Sequence, residues 1–574
     1  MAHLHKKMKK GRPYYYIREM ARVDGKPKVV NQVYLGSPER MMELARDAES
    51  PPVKLSVQEF GALWMADQID RMIDVKSIID SVIPQRKNEK GPSVGEYFLF
   101  AVLNRLVDSQ SKRAFPQWFK DSAIAEIRPV DPDRLTSQRF WDKWDRVDET
   151  QIQEIGRLFF HKIASIEPPG PGCFLFDTTN YYTYLATETE SELAQRAKNK
   201  DGKDWLRQIG LALLVSRQTR LPLFYREYAG NHHDSKLFGE ILDDILEKMN
   251  ELLGEAADMT VVVDKGMNAE KNMSFFDQSD RLHFVTTYST YFSPELMAID
   301  LSNFRKIDIA KNRILADRGK EHDQIIAFRT GGTFWGRKRA VVVTFNPRTA
   351  RKQRYTFERR MLKLKTELQG MQSKMRDQRA RWRTPKEIEK RYRELCDKLH
   401  LSRHFYDLTF ELTKAGWRMM FRKNNATWME YLQRLGKNIL VTDRMDWSDE
   451  EIVQAALDRY LVENAFRQTK DDDLVSALPI RHWTDGKIRC HLLTCMIALT
   501  YLGLIQNRLN QAGLKMTATT AVKQMSQLHS CLCWMKTNGK PARILEQPTQ
   551  AQADILKAFH HVVTPSGVLQ HITT

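Results

Sequence analysis

The chain is 574 residues long, which exceeds the size of an ordinary single domain, so several folding units are expected. Apolar residues make up 42% of it, a share that excludes a disordered protein. Lys and Arg number 90 against 72 Asp and Glu, which gives a net charge of +18. This excess favours an acidic polymer as the partner, with an anionic membrane or simple solubility as alternatives.

The positive charge is concentrated in two stretches. Residues 1–30 contain 9 basic and 2 acidic side chains, and residues 351–398 contain 17 and 7. Together these stretches account for 17 of the 18 excess charges. We therefore expect both of them to bind a polyanion through contacts that weaken as the salt concentration rises.

The sequence predicts no membrane-spanning segment. Its most apolar stretch, residues 492–505, has about 14 residues and includes Thr494 and Thr500, whereas a spanning helix needs about 20 apolar residues. The basic N-terminus has no apolar region of the kind found in secretory signals. The stretch therefore predicts a buried helix in a cytoplasmic protein.

The 6 cysteines are sparse, and none forms a C-x-x-C pair. Cys531 and Cys533, close to His529, would suit a metal ion. No second pair of ligands completes a tetrahedral site, however, so ordinary packing is the favoured interpretation. We expect reduced thiols.

The first elements in chain order are strands and then helices. Residues 13–36 alternate in the manner of a β-hairpin with a turn at Asp24-Gly25, and we assign residues 1–50 to a basic β-hairpin region. Residues 55–165 show helical apolar spacing without strand alternation, and we assign residues 51–168 to one domain. They predict a helical domain that ends in a Pro- and Gly-rich linker.

The period changes from Cys173 onward. Short β-rich runs separated by helical segments predict the first part of an α/β sheet over residues 169–290. Residues 291–447 add further strands and a long charged segment, residues 448–515 return to the sheet, and residues 516–574 form a C-terminal helical region. The fold class is therefore multidomain α/β.

The charged segment predicts a basic helical hairpin. Its first helix has an apolar seam at steps of four and three residues. Thr384, Pro385 and Glu387 then supply an N-cap, a proline at the first helical position and a capping-box acid, so a second helix is expected to start there. The seam of the first helix consists of Phe357, Met361, Leu364, Leu368, Met371 and Met375.

Two acidic residues follow strongly apolar runs. Asp177 follows Phe174-Leu175-Phe176, and Asp264 follows Val261-Val262-Val263. A carboxylate at the end of a buried strand lies at the rim of a sheet, where open α/β folds bind ligands. Either residue alone would equally fit an ordinary turn or helix cap.

A third acidic residue lies on a predicted helix that begins at residue 449, with Ser448 as its N-cap and Glu451 completing a capping box. Arg459, Glu463 and Lys470 fall on one face of this helix. One interpretation is a solvated ladder of ion pairs. The other is a metal-binding carboxylate flanked by cations that bind phosphates.

This pattern resembles the DDE transposases of bacterial insertion sequences, specifically the IS-four family and its branch with long insertions. That family has a Tyr-x2-Arg-x3-Glu-x6-Lys signature, which Arg459, Glu463 and Lys470 match at the proper spacing. The Tyr position is occupied by Ala456, and the nearby Tyr460 is out of register.

The resemblance implies an RNase H-like catalytic core. In it Asp177 ends the first strand, Asp264 ends the fourth strand and Glu463 lies on a late helix. Glu463 follows Asp264 by 199 positions, so residues 291–447 are expected to be an insertion domain with β-rich structure and the basic helical hairpin. Residues 51–168 are expected to bind DNA.

The resemblance further implies an enzyme that binds the ends of its insertion sequence, cleaves DNA and joins the 3′ ends to target DNA. Asp177, Asp264 and Glu463 are the expected catalytic residues and ligands of two Mg²⁺ ions, for which Mn²⁺ would substitute. Arg459 and Lys470 are the expected DNA-binding residues. The expected partners are double-stranded DNA, comprising inverted repeats and target, and a second copy of the chain in the synaptic complex. A bacterial, nucleoid-associated location follows.

Two other functions fit the same residues. An RNase H-like nuclease would cleave without strand transfer, but the large basic insertion has no evident use in such an enzyme. A non-catalytic DNA-binding protein derived from a transposase would be expected to have lost at least one of the three acidic residues.

Several histidines and tryptophans also invite a functional interpretation. His232 and His233 would suit a metal site, although a role in shaping their loop or contacting DNA is favoured. Trp335, Trp417 and Trp428 lie in the insertion, where an aromatic ring would stack on a flipped base. Core packing is the stronger alternative for each tryptophan.

Overall fold

The computed structural model describes residues 2–9, 12–23, 26–41, 52–170, 172–185, 188–197, 203–232, 234–254, 257–376, 384–414, 416–471, 474–535 and 542–572. The strands are β1 Ala2–Lys9, β2 Arg12–Val23, β3 Lys26–Gly36, β4 Pro52–Glu59, β5 Gly172–Thr183, β6 Gln195–Arg196, β7 Arg207–Ser216, β8 Pro222–Ala229, β9 Met259–Val263, β10 Leu282–Tyr288, β11 Arg305–Lys306, β12 Ile326–Phe334, β13 Arg337–Phe345, β14 Tyr406–Thr413, β15 Gly416–Lys423, β16 Lys437–Thr442, β17 His529–Met535, β18 Ala542–Leu545, β19 His561–Val563 and β20 Leu569–His571.

The α-helices of the described residues are α1 Gly61–Ile73, α2 Val75–Val82, α3 Val94–Val107, α4 Phe115–Asp121, α5 Ile124–Ile127, α6 Ser137–Trp144, α7 Glu149–Ile166, α8 Asp234–Leu253, α9 Glu270–Phe276, α10 Pro294–Ala298, α11 Ala310–Asp317, α12 Pro347–Arg376, α13 Pro385–Leu399, α14 Asn425–Arg434, α15 Asp449–Asp458, α16 Tyr460–Lys470, α17 Asp485–Gln511, α18 Ala518–Met525 and α19 Gln550–Ala558.

The N-terminal strands form an antiparallel sheet in the order β1, β2, β3. The alternation of residues 13–36 corresponds to β2 and β3, and β1 adds a third strand. The predicted turn at Asp24-Gly25 lies outside the described residues. Tyr16 and Tyr34 form a directly opposed pair whose ring centroids are 4.9 Å apart. Such aromatic cross-strand pairs stabilise two-sided sheets that have little core of their own.

The helical region contains the seven helices α1 to α7, but it begins with a strand. β4 pairs antiparallel with β17, which in turn pairs with β18. The C-terminal region, which was expected to be helical, contains α18 and α19 together with the four strands β17 to β20. The alternation of Val53, Leu55 and Val57 marks β4 as a strand, but its partner β17 lies more than 450 residues away and cannot be recognised from local sequence.

A ten-stranded sheet forms the centre of the molecule. Its order is β11, β12, β13, β16, β10, β9, β5, β7 and β6, and β8 pairs with β7 as well. β5 is antiparallel to β7 and parallel to β9, and β9 is parallel to β10. The strands of residues 291–447 that belong to this sheet, β11 to β13 and β16, therefore extend it beyond β10.

The two faces of this sheet are covered by different helices. Leu175, Tyr181 and Val262 belong to a core, here called the helix-side core, that includes residues of α1, α3, α16 and α17. Phe174 and Phe176, which alternate with Leu175, belong to a second core with α8 and α9. Alternation along a strand sends successive side chains to opposite faces, so both cores are specified by the same short run.

The charged segment of the insertion folds as two helices, α12 and α13, which pack with β15 and α14. Thr384 caps α13 with the full capping box to Glu387. The predicted seam is buried in a third, separate core, here called the hairpin core. Its buried seam residues are Phe357, Met361, Leu364, Leu368, Met371, Met375, Ile388, Tyr392, Cys396 and Leu399.

The predicted buried helix of residues 492–505 is part of the longer α17. By length and composition α17 is the one helix of the described chain that would be able to cross a membrane, but 89% of its apolar window is buried inside the protein. Thr494 and Thr500 are buried, and their hydroxyls donate to the carbonyls of Cys490 and Met496. Because both its apolar and its polar side chains are buried inside the protein, α17 is the central helix of a folded core.

Candidate active site

The helix predicted to begin at residue 449 does so. Ser448 accepts a hydrogen bond from the Glu451 N–H, and the Glu451 carboxylate accepts one from the Ser448 N–H. The helix ends at Asp458, and a new helix, α16, begins at Tyr460. Arg459 is the junction residue, with φ −53° and ψ −25°.

This junction corrects the prediction that Arg459, Glu463 and Lys470 share one continuous helical face. Only Glu463 and Lys470 lie on α16. The hydrogen bond from the Glu463 N–H to the Arg459 carbonyl is long, at 3.4 Å, because the first turn of α16 starts afresh. Arg459 is thereby placed at the corner between two helices, beside the first turn of the second.

Asp177 lies inside β5, not at its end, which corrects the second prediction. β5 pairs with β9 only from Gly172 to Leu175, but it continues along β7 to Thr183. The run of β-favouring Thr and Tyr residues after Asp177 was the signal for this longer strand. Asp177 therefore lies where β5 and β9 separate, and its side chain is partly buried.

The strand register places Asp177 and Asp264 at the same level of the sheet. Leu175 pairs with Val262 across the two strands. Asp177 follows Leu175 by two positions, and Asp264 follows Val262 by two positions. Leu175 and Val262 both face the helix-side core, and a step of two residues returns to the same face. Asp177 and Asp264 thus lie level with each other on the face that α16 covers.

α16 is held on this face by both apolar and polar contacts. Val462 and Phe466 are buried in the helix-side core. Thr469, also buried, makes a 2.5 Å hydrogen bond to the hydroxyl of Tyr181 on β5. Together these contacts fix the rotation of α16, so that Glu463, on its first turn, lies on the exposed side.

Arg459 joins two of the three predicted carboxylates. Its Nη2 donates to Oε1 of Glu463 at 2.9 Å, and its Nη1 lies 2.9 Å from Oδ1 of Asp264. The second contact is ionic and not a well-aligned hydrogen bond, since Nη1 has no hydrogen-bond partner. Side-chain exposure is 23% for Arg459, 36% for Asp264 and 51% for Glu463, so the ion pairs lie at the rim of a partly covered site.

Asp177 is the most buried of the three acidic side chains. Its pKa is raised to about 6, chiefly by burial and also by the neighbouring carboxylates Asp264 and Glu463, which together outweigh the lowering by Arg459 and by a hydrogen bond from the Thr178 N–H. The three acidic groups therefore influence one another electrostatically. Carboxylates held in such proximity require a cation, which Arg459 supplies here.

Lys470 lies at the far end of α16. Its Nζ is 5.6 Å from the centroid of the Tyr181 ring, four residues beyond Asp177 on β5. This position favours a cation–π contact. Lys470 therefore lies along the extended part of β5, apart from the acidic groups, whereas Arg459 contacts them directly.

The loop after β8 contains the histidines considered in the sequence. His232 is exposed, and His233 lies outside the described residues. Gly230 is required here because a Cβ atom at this position would lie 1.9 Å from the Gln208 carbonyl oxygen. Across the described ranges, no group of three or more His, Cys, Asp or Glu side chains is arranged to hold a metal ion.

The three tryptophans of the insertion differ in environment. Trp335 occupies a tight turn with φ +49°, and its ring packs against Phe284 and Tyr288. Trp428 packs in the hairpin core, 4.9 Å from the Phe357 ring. Trp417 is 37% exposed at the end of the β14–β15 hairpin. Packing accounts for the positions of Trp335 and Trp428.

The Cys531 and Cys533 sulfurs are 3.7 Å apart on β17, and His529 is paired with Glu546. All cysteines of the chain are free thiols. The contacts of Cys531 and Cys533 are those of a packed strand.

Asp177 and Asp264 lie where two parallel strands separate, and carboxylate oxygens are donors of the type that divalent magnesium or manganese prefers. A family model described as the transposase DDE domain matches residues 169–501. The matched segment is more than half of the chain, and the chain belongs to this family. Membership identifies it as a DNA-binding transposase, a class of enzymes that cleave DNA and depend on a divalent metal.

Two solved structures are similar to the chain. A piggyBac transposase synaptic complex with hairpin DNA is 9% identical, with a TM-score of 0.36, and the match covers 81% of this chain and 79% of that one. A Mos1 transposase paired-end complex with left transposon end is 12% identical, with a TM-score of 0.15, covering 37% and 64% respectively. A comparison with curated proteins found no match.

Proposed function

We propose that the chain is the transposase of a bacterial insertion sequence of the IS-four family, and that its active site consists of Asp177, Asp264 and Glu463. The supporting observation is the Arg459 guanidinium, which contacts Asp264 and Glu463 at 2.9 Å each, at the level of Asp177. Residues far apart in the chain thus meet at one rim. Ala456 departs from the family signature, and Tyr460, 49% exposed beside Arg459, receives no role.

The donor set fits two Mg²⁺ ions, or Mn²⁺ in their place. Asp177, Asp264 and Glu463 offer oxygen ligands only, and no histidine or cysteine is needed. When bound, the two ions activate the attacking water or 3′-hydroxyl and stabilise the leaving oxygen. Asp177, the most buried of the three acidic side chains, would hold the ions together with Asp264 and Glu463. The Thr178 N–H orients its carboxylate by donating to Oδ1 at 2.9 Å.

The remaining residues of the site bind and orient DNA. Lys470, held beside the Tyr181 ring, is proposed to contact a phosphate along the extended part of β5. Arg459 has a planar guanidinium, which suits bidentate phosphate binding once it leaves the carboxylates. Burial of Tyr181 and Thr469 fixes the helix on which Lys470 lies and therefore fixes its reach.

The sheet supports an RNase H-like core made of β8, β7, β5, β9 and β10 in that order, with two antiparallel pairs followed by two parallel ones. On this proposal residues 169–290 and 448–515 form the core, and residues 291–447 form an insertion. The helical domain of residues 51–168 and the basic β-hairpin region of residues 1–50 would bind DNA.

Double-stranded DNA is the proposed substrate, and a second copy of the chain is the proposed partner in the synaptic complex. The two similar solved structures are, respectively, a synaptic complex and a paired-end complex of other transposases. Bringing two element ends together requires two active sites, which a homodimer would provide. A location in the bacterial nucleoid follows from this substrate.

The test is a cleavage and joining assay with purified protein, Mg²⁺ and the inverted repeats that flank the gene. Asp177→Asn and Glu463→Gln are each expected to reduce both activities by at least about a thousandfold, because a lost ligand removes electrostatic stabilisation of the transition state. Asp308→Asn, at a 71% exposed side chain, is the matched control and should retain activity.

Two results would contradict the proposal. Full activity in Asp177→Asn or Glu463→Gln would remove these residues from the active site. Cleavage without any joined product in the unaltered protein would identify a nuclease that does not transfer strands.

A further inference from the structure

We propose that Arg459 is a positioning residue that competes with divalent metal for Asp264 and Glu463, and that DNA phosphates relieve this competition. The inference rests on the proposed metal-binding role of the two carboxylates. It adds a coupling between DNA binding and metal binding, in which one guanidinium moves between two anionic partners.

The first support is geometric. One guanidinium contacts two carboxylates from separate segments, at 2.9 Å to Asp264 and 2.9 Å to Glu463. Each contacted oxygen is one that would face a bound cation. A metal ligated by both carboxylates and a guanidinium contacting both would repel each other at such distances, so the two states are mutually exclusive.

The second support is the backbone position of Arg459. It is the single residue between α15 and α16, and its side chain is 23% exposed. Its backbone dihedrals are helical and its carbonyl accepts from the Glu463 N–H, so movement at this position is confined to the side chain. The preceding residue, Asp458, is fixed separately by a 2.7 Å ion pair with Arg217, so the junction stays in place while the Arg459 side chain turns.

The third support is chemical. The ion pair to Asp264 is poorly aligned for hydrogen bonding, and both carboxylates are more than one third exposed. Exposed ion pairs of this kind contribute little free energy. A phosphodiester accepts two parallel hydrogen bonds from a guanidinium and is therefore a competitive partner. Arriving DNA would draw Arg459 away and leave Asp264 and Glu463 free for metal.

The experiment measures Mn²⁺ binding to the full-length protein by electron paramagnetic resonance, without and with a short duplex of arbitrary sequence. Arg459→Gln is expected to bind Mn²⁺ alone roughly fivefold more tightly than the unaltered protein, the gain expected from removing two partly exposed ion pairs. Arg459→Lys should lie between the two, because one ammonium replaces the charge but does not bridge both carboxylates.

The duplex supplies the second readout. The duplex should tighten Mn²⁺ binding by a larger factor in the unaltered protein than in Arg459→Gln. Arg459 couples the binding of DNA to the binding of Mn²⁺, so the substitution removes this linkage. Arg313→Gln, which removes an exposed guanidinium paired with Asp308 outside the proposed site, is the matched control. It should leave both the affinity and the DNA effect unchanged.

The outcomes separate this inference from the proposed function. If Asp264→Asn combined with Glu463→Gln leaves Mn²⁺ binding unchanged, the proposed metal site is wrong. If that double substitution abolishes binding but Arg459→Gln has the affinity and DNA effect of the unaltered protein, the metal site stands and the competition by Arg459 is refuted.

Discussion

At the scale of single residues, the three acidic side chains of the candidate site differ in how deeply they are buried. Asp177 is surrounded by strand and helix, and burial is the largest of the causes that raise its pKa to about 6. Asp264 and Glu463 are more exposed and share the Arg459 cation. Asp177 is thus the most buried of the three carboxylates, whereas Asp264 and Glu463 are exposed enough for the proposed exchange of Arg459 for metal.

A second buried charge lies outside the site. The side chain of Lys112 belongs to a residue that is 8% exposed, and its Nζ lies 4.8 to 5.4 Å from the centroids of three aromatic rings, those of Phe115, Phe140 and Trp144. Its pKa is lowered to about 7, chiefly by burial and also by the nearby Arg105. Contact with the rings offsets part of the cost of burying the ammonium.

We predict that Lys112→Met stabilises the protein in a pH-dependent way. Below pH 7 Lys112 is protonated in both the folded and the unfolded state, so burying its charged ammonium destabilises the folded state to the full extent. Between pH 7 and 10.5 only the unfolded state stays protonated, so the free energy of unfolding of the unaltered protein rises with pH. The substitution should therefore raise that free energy by about 2 kcal/mol at pH 6, with the gain shrinking toward pH 10.

Urea denaturation at several pH values is the measurement. Arg105→Met tests whether the neighbouring charge contributes, and it should weaken the pH dependence without removing it. A pH-independent effect of Lys112→Met would show that the amine is charged in the folded state throughout this range.

At the scale of elements, α15 and α16 act as separate helices that meet at Arg459. The capping box formed by Ser448 and Glu451 stabilises the start of α15. Its energetic effect is local, because the helix ends ten residues later, at Asp458. The position of Glu463 depends instead on the packing of α16 against β5.

Ser448→Ala is accordingly predicted to cost about 1 kcal/mol of stability, because the N–H of Glu451 loses its acceptor. Ser448→Asp should restore most of it, since a carboxylate also caps a helix start. Thermal unfolding is the measurement, and Mn²⁺ affinity should stay unchanged. A large loss of metal binding would mean that α15 and α16 behave as one rigid helix.

The basic helix α12 is the element most suited to bind a DNA backbone. Its apolar seam is buried in the hairpin core, and its Lys352, Arg359, Lys363 and Lys365 side chains are exposed. A helix with one buried stripe presents all remaining positions to solvent. The charge concentration in this part of the sequence is therefore available at the surface.

Replacing Lys352, Arg359 and Lys363 with Gln is predicted to weaken DNA binding and to flatten its dependence on salt. Each lost phosphate contact should reduce the log–log slope by about 0.9, because one fewer counterion is released. Binding measured at several salt concentrations tests this. Lys311→Gln with Lys320→Gln, on exposed positions elsewhere in the insertion, is the control. If the slope of DNA affinity against salt concentration is unchanged, these Lys and Arg side chains do not contact DNA and serve only to keep the helix solvated.

At the scale of the whole molecule, the described chain has three separate hydrophobic cores. The helix-side core joins the helical region, one face of the sheet, α16 and α17. The hairpin core contains only residues of the insertion. Because the helix-side core continues from α1 to α16, these parts share their stability, whereas the hairpin core does not depend on them directly.

We predict two unfolding transitions as a result. Leu493 is 1% exposed in the helix-side core. Leu493→Ala should lower the free energy of unfolding of that core by about 3 kcal/mol and so lower the midpoint temperature of one transition. Leu364→Ala, at a fully buried position of the hairpin core, should lower the other. Calorimetry is the measurement, and a single transition shifted by both substitutions would contradict the separation of the cores.

The sequence by itself was sufficient for features whose cause is local. The capping boxes at Ser448 and Thr384, the buried seam of α12 and the pairing of β2 with β3 follow from spacing within a few residues. The candidate acidic residues also follow from local pattern, since each comes after an apolar run or lies on a predictable helix.

Only the tertiary structure decided the features that depend on distant segments. β4 pairs with β17 across most of the chain, β5 continues past Asp177 because β7 supports it, and the helix breaks at Arg459 beside Asp264. Short-range periodicity indicates which face of a helix or strand is apolar, but it does not indicate which distant segment packs against that face. The contact of Arg459 with both Asp264 and Glu463 exists only once strand register and helix packing bring three separate segments to one rim.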